Sequence, residues 1–262
     1  MKKTPLTTLP HPLPEQLCDL IRGARIYDSS SSKEARVYFI DRDGGYYLKR
    51  SPKGTLEREA KMTRYYHALA LGPEVLYYAT DGDCDLLLSA ALAGEDATHP
   101  TILENPRRLA ERMGEELRRL HEMPSDACPV KDRTAQYLRT VEEGYALGRF
   151  DPSYAIFRPF RTPTEAIECV RAGANALQTD VLLHGDFCLP NMLFFPDLRL
   201  SGFIDVGFGG IGDRHIDLFW GAWSLSFNLH TDAYRDRFFD AYGRDHIQPD
   251  LLDTVAAAEC FG

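Results

Sequence analysis

The 262 residues predict an α+β fold in two unequal parts, a sheet-rich first third followed by a mainly helical remainder. Three observations carry this. Short runs rich in Val, Ile, Tyr and Phe, punctuated by Gly and Asp, crowd the segment 24–89. Further on, Leu109, Met113, Leu117 and Leu120 recur at helical spacing, and similar patches follow. Charge divides along the same line. Up to Ala93 there are 13 basic and 12 acidic residues, net +1, and from Gly94 there are 17 and 27, net −10. At 29.6 kDa the chain is long enough for two small lobes or one large domain.

Taken in order, residues 5–14 carry four prolines and read as an extended arm, with a short helix over 15–22. Residues 24–28, 35–40 and 45–49 read as antiparallel strands, the last two joined by the turn signal Asp41-Arg-Asp-Gly-Gly45. The first connection holds four serines, Ser29 to Ser32, and alone reads as a flexible loop. Lys49 ends its strand pointing inward, where an ammonium needs a negative partner. The next helix, 55–71, offers Glu57 and Glu59. Glu59 shares the face of Leu56, Met62 and Tyr66, whereas Glu57 meets Lys61 at i+4, so Glu59 is the inward partner. Gly72-Pro73 stops that helix. Strands over 75–80 and 84–89 follow, with Ala90-Ala91-Leu92 as connector, then helices over 106–123, 134–146, 164–177, 216–227, 232–242 and 251–260.

The chemistry concentrates in residues 181–218, VLLHGDFCLPNMLFFPDLRLSGFIDVGFGGIGDRHIDL. Asp186 and Asn191 are spaced Asp-x4-Asn between two apolar runs, which predicts a polar loop projecting from the edge of one rigid sheet. Asp205 follows a further apolar piece and precedes Gly207, read as letting the backbone turn close to a ligand. This is a phosphoryl-transfer layout. One Asp takes the proton of the attacking hydroxyl, while the amide and the second Asp hold metal ions bridging the ATP phosphates. Hard divalent ions select such oxygen donors. His184, His121 and Asp217 read as structural, and Cys188 as packing.

The paired motif HGD-FCLP-N and GFIDVGFGGIGDRHID resembles that of the aminoglycoside 3'-phosphotransferases, with weaker likeness over nearly the whole chain. The resemblance implies a bilobal protein-kinase-like fold, with residues 1–93 as the nucleotide-binding lobe and 94–262 carrying the catalytic loop, metal site and acceptor site. It implies ATP as phosphoryl donor, with GTP open, Mg2+ as cofactor, and a small, cationic acceptor, most simply an aminoglycoside. A kinase of another small alcohol and a non-catalytic nucleotide-binding module are the rivals. The site residues implied are Asp186 as proton acceptor and Asn191 and Asp205 for Mg2+. Lys49 with Glu59 would position the phosphates, Ser32 would lie over them, and Ala91 would donate to the adenine. Tyr47 either stacks on adenine or is a core aromatic. Glu259 and Phe261, in the terminal Glu-x-Phe, would bind the acceptor, beneath an overhanging loop at 149–163.

The chain departs from that family at the acceptor. Phe208 stands where an Arg usually follows Asp-x-Gly, Trp223 replaces a second Arg, and the acids expected near Phe227-Asn228 and in the loop 149–163 are scarce. A net charge of −9 argues against a nucleic-acid partner. No apolar run approaches the roughly 20 residues a bilayer needs, and Met1-Lys2-Lys3 leads into Thr and Pro, so a cytoplasmic protein without membrane attachment is expected. Six cysteines without a C-x-x-C pair fit reduced thiols.

Overall fold

The computed structural model describes residues 3–31 and 35–262. Among them, β1 (Thr4–Leu6), β2 (Arg25–Asp28), β3 (Arg36–Asp41), β4 (Tyr46–Pro52), β5 (Val75–Asp81) and β6 (Cys84–Ala90) form an antiparallel sheet in the order β1-β2-β3-β4-β6-β5. The proline-rich arm is extended, as its composition requires, but its first residues pair with β2 as an edge strand. Leucines 6, 9 and 13 of the arm join Leu17 of α1 (Glu15–Ile21) over Tyr38, Ile40, Leu48 and Leu88 on one face of the sheet. The other face is covered by α2 (Glu57–Ala68), where Leu56 and Ala60 meet Leu87. The start of α2 is fixed from the sheet. Buried Asp85 on β6 accepts the Leu56 N–H at 3.0 Å and the Thr80 hydroxyl at 2.8 Å, because Leu56 has no side chain able to cap its own helix.

The remainder comprises β7 (Glu95–Asp96), α3 (Pro100–Leu103), α4 (Pro106–His121), α5 (Arg133–Ala146), α6 (Pro163–Gly173), β8 (Val181–Leu183), β9 (Met192–Phe194), β10 (Leu200–Phe203), β11 (Gly210–Gly212), α7 (Arg214–Leu229), α8 (Arg235–Tyr242) and α9 (Pro249–Glu259). The apolar face predicted for α4 is buried through Leu109, Met113, Leu117 and Leu120. It lies so close to α8 that a Cβ on Gly114 would meet the Phe238 carbonyl at 2.4 Å. Helices α5, α6 and α9 close a second core around Tyr137, Ile167, Val255 and Phe261.

One expectation is corrected here. The strands flanking the loop 184–191 do not share a sheet: β8 pairs with β11, and β9 lies between β10 and β7. Each strand leaving the loop finds its partner in the second half of the motif. The loop is therefore held between two short hairpin-like pairings rather than projecting from one edge.

Candidate active site

Lys49 Nζ lies 2.8 Å from Glu59 Oε2 and 2.5 Å from Asp205 Oδ1, while Glu57 turns outward to Lys61 at 2.6 Å. The helix phase thus selects the carboxylate that meets the lysine. One ammonium shared by two carboxylates sets the electrostatics. Burial pushes the Lys49 ammonium down, but the charges of Asp205 and Glu59 outweigh it and hold the group above its ordinary range. Burial, with the nearby Asp205 charge, pushes Glu59 up to about 7 against the pull of Lys49. Asp205, half exposed at the cleft, is held below its usual value by that same ammonium despite the opposing effect of partial burial.

Asp205 has φ +59°, a left-handed conformation unusual outside glycine and tolerated best by Asp and Asn. Gly207 is not the residue that turns: its place is explained by Glu59, whose Cβ would lie 3.2 Å from an added side chain.

The loop carrying Asp186 is braced from below by buried Asp217 near the start of α7. Its two oxygens accept the N–H groups of His184 and Gly185, each at 2.7 Å. His184 is wholly buried; its Nδ1 accepts the Asp186 N–H at 3.3 Å, leaving Nε2–H to donate to the Ile204 carbonyl at 3.1 Å. Asn191 Nδ2 donates to Asp186 Oδ2 at 2.8 Å, and the Ile204 N–H donates to the Asn191 carbonyl at 3.0 Å. The loop is thereby tied to the residue preceding Asp205. Gly185 has φ +84°, and a Cβ there would lie 2.0 Å from the Phe208 carbonyl, so only glycine lets the two loops touch.

Three cavities run together across this site. The first is lined by Ser29, Ser31, Tyr47, Lys49, Ser89, Ala90 and Leu92, with Asp205 at its inner end. The second, of about 340 Å3, shares Lys49, Glu59 and Asp205 with the first and reaches Asp186 and Phe208. The third, of about 380 Å3, shares Asp186 and Phe208 and is walled by Tyr137, Tyr154, Trp220, Glu259, Arg58 and Arg133. Tyr154 and Trp220 belong to an aromatic column that continues outward. Tyr154 stacks on Trp223 at 5.6 Å, and Trp223 on exposed Phe227 at 4.8 Å.

Several predicted residues sit differently from expectation. Ser32 lies outside the described residues. Its neighbours Ser29 and Ser31 line the first cavity, where Ser29 Oγ is the buried side-chain atom without a hydrogen-bond partner among the described residues. The Ala91 N–H is taken by the Gly45 carbonyl at 2.9 Å, because the β3–β4 turn closes against the connector, so Ala91 is not a free donor. Tyr47 lines the first cavity, with its ring tilted against Phe39 at 5.1 Å, and is only partly buried. Phe261 is wholly buried against Tyr145 and Phe150 and does not present its ring to the third cavity; Gly262 lines it instead. Glu259 does reach the cavity, with its Oε1 accepting the Tyr137 hydroxyl at 2.9 Å. Burial pushes its carboxyl up to about 7.

Sequence reasoning missed four members of the site. Cys188, read as packing, donates its thiol to Asp186 Oδ1 at 3.0 Å. Arg58, Arg133 and Trp220 went unnoticed. Arg133 did carry a signal: a cation in the first turn of α5 opposes the helix dipole, a local violation that marks functional positions.

Among the described residues no cluster of three or more His, Cys, Asp or Glu side chains suits a metal. The donor set fits Mg2+ in another way. Asn191 spends its amide N–H groups on Asp186, leaving its carbonyl oxygen for a metal, and Asp205 reaches Lys49 with Oδ1. Two oxygen donors completed by phosphates and water are what Mg2+ accepts.

A kinase-like sheet and helix joined to a helical part, with Lys–Glu, Asp-x4-Asn and Asp-x-Gly elements converging, define a phosphotransferase. The chain belongs to the phosphotransferase enzyme family, whose model matches residues 29–253. It is 46% identical over 249 residues to a probable aminoglycoside 3'-phosphotransferase of Lactococcus lactis subsp. lactis (strain IL1403), covering 95% of each chain. It is 28% identical over 245 residues to an aminoglycoside 3'-phosphotransferase of Niallia circulans, covering 91% of this chain and 93% of that one. The fold matches an aminoglycoside-3'-phosphotransferase of type VIII with a TM-score of 0.73 at 22% identity, over 95% of this chain and 100% of that one. It also matches an aminoglycoside phosphotransferase from Streptomyces rimosus solved with ADP and streptomycin, TM-score 0.69 at 23% identity, over 87% and 91%. The resemblance and the kinase-like fold read from the motifs are both borne out.

Proposed function

We propose that the chain transfers the γ-phosphoryl group of ATP to a ring hydroxyl of an aminoglycoside, a reading supported by relatives named aminoglycoside 3'-phosphotransferases. The observation that carries this is the continuity of the three cavities, with Asp186 at the junction of the second and third. Adenine occupies the first, flanked by Tyr47 and by Ser89, Ala90 and Leu92, in residues 1–93, the nucleotide-binding lobe. Phosphates occupy the second, and the acceptor the third, in residues 94–262. On this reading Lys49 exchanges Asp205 for phosphate oxygens while Glu59 keeps it oriented. Asp186 accepts the proton of the attacking hydroxyl, its carboxylate aimed by Asn191 and the Cys188 thiol. Asn191 and Asp205 would hold Mg2+, which when bound neutralises phosphate charge. No helix of the described residues is long and apolar enough to cross a membrane, and we place the protein in the cytoplasm, where ATP is.

The test is ADP release with Mg2+ and ATP across a panel of aminoglycosides, with mass spectrometry for one added phosphate. Turnover of kanamycin-type acceptors at a ring hydroxyl is expected. Turnover only with a macrolide, amino alcohol or sugar would move the protein to that substrate, and ADP release with none would leave a nucleotide-binding module.

A further inference from the structure

Two arginines face the acceptor cavity without an ion pair to a carboxylate among the described residues. Arg133 is 7% exposed, yet among the described residues its one hydrogen bond is from Nε to the Phe208 carbonyl at 2.7 Å. Arg58, half-buried on α2, donates among the described residues to Gln136 Oε1 alone, at 3.3 Å. Among the described residues neither makes an ion pair with a carboxylate. Of the third cavity's own acids, Asp186 is held by Asn191 and Cys188, and Glu259, held by Tyr137, acts on Arg133 only through space, without a hydrogen bond or ion pair among the described residues. Burial pushes both guanidiniums below their ordinary range, and for Arg133 the neighbouring Arg58 charge adds to it. A desolvated, unpaired guanidinium is costly, and two that repel one another are costlier still, unless an anionic ligand arrives between them.

Their geometry says which part of the reaction they meet. Both sit against the Phe208 ring, at 5.4 Å for Arg58 and 5.9 Å for Arg133. Phe208 lines both the phosphate and the acceptor cavities, and its carbonyl abuts Gly185, the residue before Asp186. A polycationic acceptor gives no reason to keep two cations here. The one anion that crosses this junction is the phosphoryl group itself. We propose that Arg58 and Arg133, presented from α2 and α5, form a clamp for the phosphoryl group in transfer and on the newly phosphorylated acceptor. The inference rests on the phosphotransferase reading but not on the acceptor's being an aminoglycoside. In the step, the acceptor oxygen bonds to the γ-phosphorus as the bond from phosphorus to the β,γ-bridging oxygen breaks. The hydroxyl proton passes to Asp186, and ADP leaves with the electron pair. Guanidinium forks match the equatorial phosphoryl oxygens, which carry the charge throughout.

The test compares Arg58→Gln, Arg133→Gln, Arg133→Lys and the double glutamine variant with wild type. It measures steady-state kinetics, ATP hydrolysis without acceptor, and inhibition by the phosphorylated product purified from a wild-type reaction. Removing a fixed donor to a transferring group slows catalysis by roughly 10^2 to 10^3, so the double variant should lose kcat on that order. The KM for ATP should stay within a few-fold, and product inhibition should weaken while affinity for the unphosphorylated acceptor does not. Arg133→Lys should recover only part of the loss, since an ammonium lacks the fork. Unfolding midpoints separate these effects from misfolding, and half-buried Arg58 tests the clamp even where Arg133 variants fail to fold. Unchanged kcat in Arg58→Gln, or product and acceptor affinities falling together, would overturn the proposal. If wild type phosphorylates a different alcohol or only water, the aminoglycoside reading fails while the clamp is judged on that turnover. A chain that releases no ADP at all overturns both.

Discussion

Asp186 and Glu259 line the same cavity and differ in what holds them. Asp186 accepts from Asn191 and Cys188, which aims it without covering it, and it lies on the shared wall with the phosphate cavity. Asp186→Ala should lower kcat by roughly 10^2 to 10^4, the range for a positioned general base, with nucleotide affinity within a few-fold. Turnover like the wild type's in that variant would remove the assignment. Glu259 is mostly buried at the cavity wall, and that burial pushes its carboxyl up to about 7 from 4.5. Because its folded value is the raised one, the stability it contributes is fully present below about 4.5 and is lost as pH rises through about 7. Ionisation in the same window creates the anion that an acceptor ammonium needs. Acceptor KM should therefore fall between pH 6 and 8 in wild type and stay flat in Glu259→Gln, which should also lose less thermal stability over that interval. Parallel pH profiles for the two proteins would exclude Glu259 from acceptor binding.

At the level of elements, α2 is the part that must be held still, since it carries Glu59 on one turn and Arg58 beside it. Its entry depends on Asp85 of β6 rather than on its own sequence. Asp85→Ala removes the cap and leaves the Leu56 N–H buried, a loss of about 1 to 2 kcal/mol. The unfolding midpoint should drop by several degrees, and the KM for ATP should rise as the Lys49 partner loosens, with kcat less affected. A variant with unchanged melting would show that the sheet alone fixes the helix.

Across the whole molecule, the charge split sets long-range attraction against short-range fit. The residues after Ala93 carry a net −10, which draws a polycation, while the acceptor cavity itself offers two carboxylates and two arginines. Exposed ion pairs are worth only about 0.2 to 1 kcal/mol, so three or four missing acids, each toward the upper part of that range, cost on the order of 2 to 3 kcal/mol, or roughly 30- to 200-fold in affinity. Aminoglycoside KM should thus be weak, and kcat/KM should fall several-fold as salt shortens the screening length from about 10 Å at 0.1 M to about 3 Å at 1 M. The KM for ATP should move less. Tight binding of kanamycin that salt does not disturb would show that the aromatic column of Tyr154, Trp223 and Phe227 suffices without the acids.

Much of the catalytic half was written locally. The spacing of Asp186, Asn191 and Asp205 and the phase of Glu59 against Leu56 and Met62 depend on neighbours within a few residues, so periodicity and motif exposed them. The family and its kinase-like fold followed from the same stretch. What the chain could not disclose by itself were relations between distant segments. The Ala91 N–H is consumed by Gly45, Phe261 turns into a core built by α5 and α9, and β8 and β9 part into separate sheets. Arg58 and Arg133 lie 75 residues apart in sequence and meet only because Phe208 packs between α2 and α5. A single arginine carries no sign of whether a carboxylate will stand beside it. That is settled when the chain closes and burial removes water, and only then does an unpaired cation become a binding site.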